Sequence, residues 1–174
     1  MYPMDDGLVV WITGLSGAGK STVGHMVWES LRQRGVPAIY LDGDVMREML
    51  GAVHAHSQEE RRALAHTYGR MCHALAAQGM TVVCSTISMF HAVRDWNRAN
   101  NRRYLEIYLR VPVEELVRRD PKGLYARNDG RMIGLDAPFE APLTPDLVID
   151  NGGDVTAEES SGRILALIQA SASS

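Results

Sequence analysis

The feature that most constrains the fold of this chain is an eight-residue, glycine-rich segment that directly follows a short apolar run. Residues 14–21 read Gly-Leu-Ser-Gly-Ala-Gly-Lys-Ser, and residues 8–12 before them read Leu-Val-Val-Trp-Ile. This pattern is typical of a buried strand that leads into a phosphate-binding loop and then into a helix whose positive end faces the same anion. The segment predicts a P-loop that binds a nucleoside triphosphate, with phosphate contacts from Gly14, Leu15, Ser16, Gly17, Ala18, Gly19, Lys20, Ser21 and Thr22.

Two side chains of this loop have distinct expected roles. Lys20 would reach the β- and γ-phosphates, and the hydroxyl of Ser21 would bind Mg²⁺. A glycine-rich turn without a ligand is the alternative, but it explains neither the eight matching positions nor the strand and helix that flank them. ATP and Mg²⁺ are accordingly the expected cofactors.

The balance of charges excludes several functional classes. The chain has 174 residues, of which 18 are basic and 21 are acidic, and its formal net charge is −3. It has no basic block that would follow a nucleic-acid backbone or an anionic membrane surface, and its longest apolar runs are only of strand length. We therefore expect a cytoplasmic protein that acts on small molecules, with two reduced core thiols at Cys72 and Cys84.

Strand-like apolar runs alternate with amphipathic helical patterns along the chain. The runs predict strands at 8–13, 38–41, 81–85, 104–109 and 147–149, and helical spacing predicts helices at 20–34, 58–78, 92–100, 113–119 and 157–170. This alternation predicts an α/β fold of the P-loop type, with three layers (α/β/α) around a five-stranded parallel sheet. Ligands of such sheets bind at the carboxyl ends of the strands.

One long segment, 120–145, does not fit the alternation and is rich in proline and glycine. Such a stretch inside a compact domain is typically functional or disordered, and its position predicts a lid that closes over the phosphates. Arg119, just before the lid, and Arg127 within it are expected to reach the ATP phosphates, although charges on a lid can equally be solvated. We expect 1–174 to form a single P-loop domain with a frayed tail at 171–174.

A pair of carboxylates follows the second predicted strand, where residues 41–47 read Leu-Asp-Gly-Asp-Val-Met-Arg. Asp42 and Asp44 would lie opposite the P-loop, where either would take a proton from an acceptor hydroxyl or hold Mg²⁺ through water. Helix capping by Asp44, with Asp42 as a turn residue, is the structural alternative. Arg47 would hold an anionic acceptor or else be an exposed structural arginine.

Several motifs together resemble those of the adenylyl-sulfate kinases. They are the P-loop, Leu-Asp-Gly-Asp-x-x-Arg at 41–47, Arg-Asp-Pro-Lys-Gly-Leu-Tyr at 119–125, and Gly-Leu-Asp-Ala-Pro-Phe-Glu-Ala-Pro at 134–142 followed by Pro-Asp-Leu at 145–147. The resemblance extends from residue 8 to residue 150. It implies transfer of the γ-phosphoryl group of ATP to the ribose 3′-hydroxyl of a nucleotide such as adenylyl sulfate, and it implies a homodimer.

The resemblance also assigns roles to individual residues. Asp44 matches the catalytic carboxylate, which would act together with Lys20 of the P-loop. Arg47 and Arg61 match arginines that hold the phosphosulfate of the acceptor; without the resemblance, Arg61 would be interpreted as a solvated helix charge. The expected acceptor site comprises Asp42, Arg47, His56, Arg61, Ile87, Ser88, Lys122 and Met132.

The sequence departs from the family mainly on the acceptor side. Val45 and Leu64 stand where the family has asparagines, and His56 and Met132 stand where it has phenylalanines that stack on a base. Losing a stacking aromatic would cost about 1–3 kcal/mol unless another contact replaces it. The acceptor pocket is therefore expected to differ from the family's usual form.

A second resemblance leaves the acceptor open. Residues 87–93 read Ile-Ser-Met-Phe-His-Ala-Val, and with Trp-Asn-Arg at 96–98 they resemble a divergent branch of the family, some of whose members act on cytidine diphosphoramidate. A smaller pyrimidine base and a neutral amidate would suit a reshaped pocket. Adenylyl sulfate and cytidine diphosphoramidate both remain candidate acceptors, and a non-catalytic, nucleotide-gated binding module is a further alternative.

Overall fold

Strands and helices alternate along the chain as the periodicity predicts. The computed structural model describes residues 7–54, 57–120, 123 and 139–172. The elements are β1 (Val9–Thr13), α1 (Lys20–Gln33), β2 (Ala38–Asp42), α2 (Gly43–Met49), α3 (Gln58–Ala76), β3 (Thr81–Ser85), α4 (His91–Asn100), β4 (Tyr104–Arg110), α5 (Val113–Arg119), β5 (Leu147–Asp150) and α6 (Ala157–Ala172).

The five strands form one parallel sheet in the order β2-β3-β1-β4-β5. Val10 of the central strand pairs with Val83 on one side and with Leu105 on the other. Because β1 lies in the middle, the loop that follows it lies at the centre of the carboxyl edge of the sheet. The predicted α/β fold with a five-stranded parallel sheet is confirmed.

Apolar side chains cover both faces of the sheet and produce three layers. On the face covered by α1 and α6, Val10 packs with Val27; on the face covered by α3 and α4, Trp11 packs with Cys72 and Cys84. Both cysteines are free and buried, as predicted. Burial on both faces explains why β1 is a continuous apolar run rather than an alternating one.

Most predicted boundaries agree with the structure to within two residues. The α3 helix begins after Ser57, which forms a capping box with Glu60. The periodicity predicts no boundaries for α2, since seven residues are too few to show a helical repeat. The α6 helix continues to Ala172, so the first half of the predicted frayed tail is helical, and Ser171 Oγ donates to the carbonyl of Ile168.

The predicted lid at 120–145 lies largely outside the described residues. Its described end contacts the rest of the fold, because Glu140 N donates to the carbonyl of Met89 at 3.1 Å. Directly after the lid, Asp146 Oδ2 accepts from Glu106 N at 2.8 Å. None of the helices in the described ranges is long and apolar enough to cross a bilayer.

Candidate active site

The loop between β1 and α1 requires glycine at several positions. Gly17 and Gly19 have φ angles of 80° and 90°, which favour glycine. A Cβ atom at Gly14 would lie 2.6 Å from the carbonyl oxygen of Leu109, and one at Gly19 would lie 2.8 Å from Asn151 Nδ2. The loop therefore packs tightly against β4 and the segment after β5, and it ends at the N-terminus of α1, where an anion is favoured.

Asn151 supports this loop, although no motif in the sequence predicted it as a site residue. Its Nδ2 donates to the carbonyl of Ala18 at 2.8 Å, and its Oδ1 accepts from Ser160 Oγ at 2.5 Å. Arg119 Nη2 donates to the carbonyl of Asn151 at 3.0 Å and to Glu115 Oε1 at 2.5 Å, so the predicted phosphate-binding arginine lies beside the P-loop. Its position in the sequence could have indicated this role, because Asn151 follows the carboxyl end of the fifth predicted strand, where ligands of such sheets bind.

The first two residues of α1 direct their side chains to different partners. Lys20 Nζ donates to the carbonyl of Leu15 at 2.8 Å, so the ammonium group lies over the loop. Ser21 Oγ donates to Asp42 Oδ2 at 2.6 Å. A hydroxyl and a carboxylate, both oxygen ligands of the kind that Mg²⁺ binds, thus join the P-loop helix to the end of β2.

Asp42 is the most highly connected side chain of the site. Its Oδ1 accepts from the backbone N–H groups of Asp44 at 2.9 Å and Val45 at 3.4 Å, and its Oδ2 accepts from Ser21 and, at 3.1 Å, from Tyr40. Burial acts to raise the pKa of the Asp42 carboxyl, but the hydrogen bonds outweigh it and hold that pKa below its ordinary value. Capping of α2 by Asp44, the alternative drawn from the sequence, is wrong, because Asp42 is the cap.

Helices α2 and α3 carry the other predicted catalytic and acceptor-binding residues. Asp44 is exposed in the first turn of α2, and Arg47 lies nearly one turn later, where its Nε donates to the carbonyl of Ala52 at 3.1 Å. Arg61 lies half-buried in the first turn of α3. Tyr68 Oη donates to the first carbonyl of α2 at 3.2 Å, which ties the two helices together near the carboxyl edge of the sheet.

Hydroxyl groups hold the segment that follows β3. Thr13 Oγ1 donates to the carbonyl of Ile87, and Thr86 Oγ1 lies 2.7 Å from Ser88 Oγ. Ser88 is buried and has a positive φ of 28°. Ile87 and Ser88 therefore lie in a constrained turn next to the end of the central strand, and Ser88 is engaged in hydrogen bonding.

The structure brings one group of predicted residues to a single edge of the sheet and leaves another group undescribed. At the carboxyl edge lie Lys20, Ser21, Asp42, Asp44 and Ser88. Within the described ranges, no cluster of three or more His, Cys, Asp or Glu side chains could hold a metal ion. The predicted site residues outside the described ranges are His56, Lys122, Arg127 and Met132.

Comparison with known proteins shows to which protein family this chain belongs. The sequence profile of the adenylylsulphate kinase family matches residues 6–150. The chain belongs to the adenylylsulphate kinase family. It is therefore a phosphotransferase built on the P-loop NTPase fold, as the motif resemblance implied.

Relatives of this family member are similar over most of their length. The chain is 40% identical over 147 residues to the cytidine diphosphoramidate kinase of Campylobacter jejuni, covering 82% of this chain and 85% of that protein. It is 39% identical over 145 residues to the adenylyl-sulfate kinase of Picosynechococcus sp., covering 81% and 82%. The structure of the Mycobacterium tuberculosis APS kinase CysC in complex with AMPPNP and APS matches with a TM-score of 0.85 at 32% identity, covering 94% and 98%.

Two departures of this chain from the family pattern can be located. Val45 is 53% exposed in the first turn of α2, next to Asp44. Leu64 lies on α3 and lines a groove of about 760 Å³ together with Leu50 and Trp96. An apolar side chain stands at each position where the family resemblance implies an amide, so neither side chain can hydrogen-bond an acceptor.

Proposed function

We propose that the chain transfers the γ-phosphoryl group of ATP to the ribose 3′-hydroxyl of a small nucleotide, with adenylyl sulfate as the acceptor. The observation that carries this proposal is the 2.6 Å hydrogen bond from Ser21 Oγ to Asp42 Oδ2, because it joins the phosphate-binding loop to the turn that carries Asp44. Catalysis of phosphoryl transfer consists largely of positioning and charge stabilisation, so a fixed link between donor site and base is what the chemistry needs.

On the donor side, the proposal uses the P-loop and the first turn of α1. Lys20 would neutralise the β- and γ-phosphates, Ser21 would hold Mg²⁺ directly, and Asp42 would hold it through water. The donor set fits the ion, since it offers a hydroxyl and a carboxylate whose lowered pKa keeps it ionised. Mg²⁺ bound there would supply positive charge that stabilises the charge developing on the transferred group.

On the acceptor side, Asp44 would receive the proton of the 3′-hydroxyl. Asp42 is unsuited to this role because four hydrogen bonds already occupy its oxygens and its lowered pKa makes it a weak base. Asp44 lies exposed in the same turn and is not the helix cap. Arg47 and Arg61, on the helices that Tyr68 joins, would hold the anionic groups of the acceptor.

A second candidate acceptor, cytidine diphosphoramidate, is favoured by a specific observation. The Campylobacter jejuni relative named for that substrate is 40% identical to this chain. The apolar residues Val45 and Leu64 alter the acceptor side at two positions, while the donor side keeps the family pattern. Such a distribution is what a change of acceptor with unchanged phosphoryl chemistry would produce.

A substrate panel distinguishes these acceptors. The enzyme is incubated with ATP and Mg²⁺ and with adenylyl sulfate, cytidine diphosphoramidate, CDP or CMP, and the products are identified by mass spectrometry. Gain of one phosphoryl group by adenylyl sulfate supports the first candidate, and gain only by cytidine diphosphoramidate supports the second. Phosphorylation of none of them contradicts both and leaves a binding module.

The proposed oligomeric state follows from the family resemblance, and the proposed cellular location follows from the composition. We infer a cytoplasmic homodimer that binds neither nucleic acid nor membranes. Light scattering coupled to size-exclusion chromatography would measure the mass of the assembly, and a mass of one chain or of six chains would contradict the dimer.

A further inference from the structure

Tyr40 lies on the edge strand β2, two residues before Asp42. Its hydroxyl is 3.1 Å from Asp42 Oδ2 and 3.2 Å from the carbonyl oxygen of Ser21. The side chain therefore contacts both partners of the hydrogen bond that joins the P-loop helix to the β2–α2 turn. The motifs in the sequence assign no role to this residue.

The ring of Tyr40 is held by α1, so its hydroxyl has a defined position. Its centroid lies 5.9 Å from the ring of His25, edge-on, and 6.3 Å from the ring of Trp28. Trp28 is itself fixed, because its Nε1 donates to the carbonyl of Ala38 at 3.1 Å. A Cβ atom at Gly24 would lie 3.0 Å from the Tyr40 ring, so the absence of a side chain there lets α1 approach the ring closely.

We propose that Tyr40 is a positioning residue for the Mg²⁺-binding pair Ser21 and Asp42. The Tyr40 hydroxyl holds the Asp42 carboxylate in the orientation in which Oδ2 accepts the Ser21 hydrogen. The lone pairs of Ser21 Oγ are then directed away from Asp42 and would be available to Mg²⁺. This inference rests on the proposed donor side, in which Ser21 and Asp42 hold Mg²⁺.

The hydrogen-bond pattern of Asp42 supports this role. Its Oδ1 is tied to the backbone of α2, whereas its Oδ2 is held by the hydroxyls of Tyr40 and Ser21. Removing the Tyr40 hydroxyl leaves the exposed Ser21 hydroxyl as the described side-chain donor to that oxygen.

The chain offers a matched control at the amino ends of the strands, on β4. Tyr104 Oη donates to Glu106 Oε2 at 3.4 Å, again two residues further along the same strand. Tyr104 pairs with Val9 at the amino end of β1, away from the P-loop. Tyr104→Phe therefore removes a hydroxyl–carboxylate hydrogen bond of the same kind without touching the proposed metal site.

The test measures the binding of a non-hydrolysable ATP analogue by titration calorimetry, with and without Mg²⁺. For the wild type we expect Mg²⁺ to tighten binding. For Tyr40→Phe we expect the Mg²⁺-dependent tightening to fall by about 10-fold, the usual effect of removing a residue that orients a metal ligand, with the metal-free Kd unchanged. For Tyr104→Phe we expect the wild-type tightening, whatever the change in melting temperature.

Each other outcome overturns a defined part of the proposal. If Mg²⁺ fails to tighten binding to the wild type, the proposed donor site is wrong. If it does tighten binding and Tyr40→Phe behaves like the wild type, or loses metal-free affinity to the same extent, the positioning role is wrong. A double variant is independent of the single one: Tyr40→Phe added to Ser21→Ala should cause no further loss, and an additive loss would contradict action through Ser21.

Discussion

The carboxylate of Asp42 accepts a 2.9 Å hydrogen bond from the backbone N–H of Asp44, two residues later. This contact distinguishes two side chains that their shared position after the second strand does not tell apart. Asp42 becomes the helix cap and the partner of Ser21, and its lowered pKa keeps it ionised. We therefore propose as the base Asp44, which lies exposed in the turn that Asp42 caps.

The first prediction concerns Asp44 as the base. Asp44→Ala should lower kcat by about 10²–10⁴-fold while changing ATP affinity little, because the loss affects proton transfer and not the P-loop. Glu48→Ala is the matched control, since Glu48 is an exposed acid on the same helix, and it should retain wild-type kcat. Steady-state kinetics would measure both, and full turnover by Asp44→Ala would rule out this base.

The second prediction concerns the pH dependence of stability. The pKa of Asp42 is lowered by folding from its ordinary 3.8, so its stabilisation is present above that pH and is lost as the pH falls through the folded-state pKa. Asp42→Ala should lower the unfolding free energy by about 1 kcal/mol at pH 7, as expected for loss of a helix cap. Urea unfolding should show a smaller difference from the wild type at pH 3.

Asp154→Ala is the control for this experiment, because Asp154 is an exposed aspartate outside the site. It should leave the unfolding free energy nearly unchanged at pH 7. A difference between wild type and Asp42→Ala that is as large at pH 3 as at pH 7 would show that the carboxylate charge is not what stabilises the turn.

The third prediction concerns the support of the P-loop by Asn151. Asn151→Ala should weaken ATP binding and lower the unfolding free energy by about 1–3 kcal/mol, because the carbonyl of Ala18 loses a buried donor. Ser160→Ala removes the hydroxyl that donates to Asn151 Oδ1 but leaves the hydrogen bond from Asn151 Nδ2 to Ala18. It should lower stability with ATP affinity retained. Equal losses of ATP affinity in both variants would argue against a direct role in loop support.

The fourth prediction concerns a buried ion pair far from the loop. Arg94 Nε lies 3.6 Å from Glu106 Oε1, and the two side chains are 3% and 5% exposed. Glu106→Ala should cost about 3–5 kcal/mol, because it removes the buried carboxylate that pairs with the buried guanidinium. Arg110→Ala, which breaks the exposed pair with Asp150, should have a far smaller effect on urea unfolding. Similar losses in both would contradict the importance of burial.

Local patterns predicted the fold and the donor half of the site. The apolar run at 8–12 and the glycine spacing after it are short-range signals, and the structure places β1, the loop and α1 accordingly. Placement of Asp42 and Asp44 at the carboxyl edge followed from their position at the end of a predicted strand. The sequence did not show which of these two residues caps α2, since either aspartate can cap a helix. The backbone decides it, because the N–H groups of Asp44 and Val45 point to the Asp42 side chain.

Other site contacts depend on residues that are distant in sequence. Asn151 contacts Ala18, which precedes it by more than a hundred positions, so no local spacing marks the pair. Tyr40 stands between the apolar residues Ile39 and Leu41 in a strand, where an aromatic residue is ordinarily a packing residue. Its proposed role became visible only when its hydroxyl was located next to Asp42.

The proposed reaction phosphorylates a ribose 3′-hydroxyl. It is tested by ³¹P and ¹H NMR of the product formed from ATP and Mg²⁺ with adenylyl sulfate or with cytidine diphosphoramidate. We expect ADP together with an equal amount of nucleotide whose new phosphorus couples to the 3′ proton. ADP formed without a phosphorylated nucleotide, or a phosphoryl group on another oxygen, would contradict it.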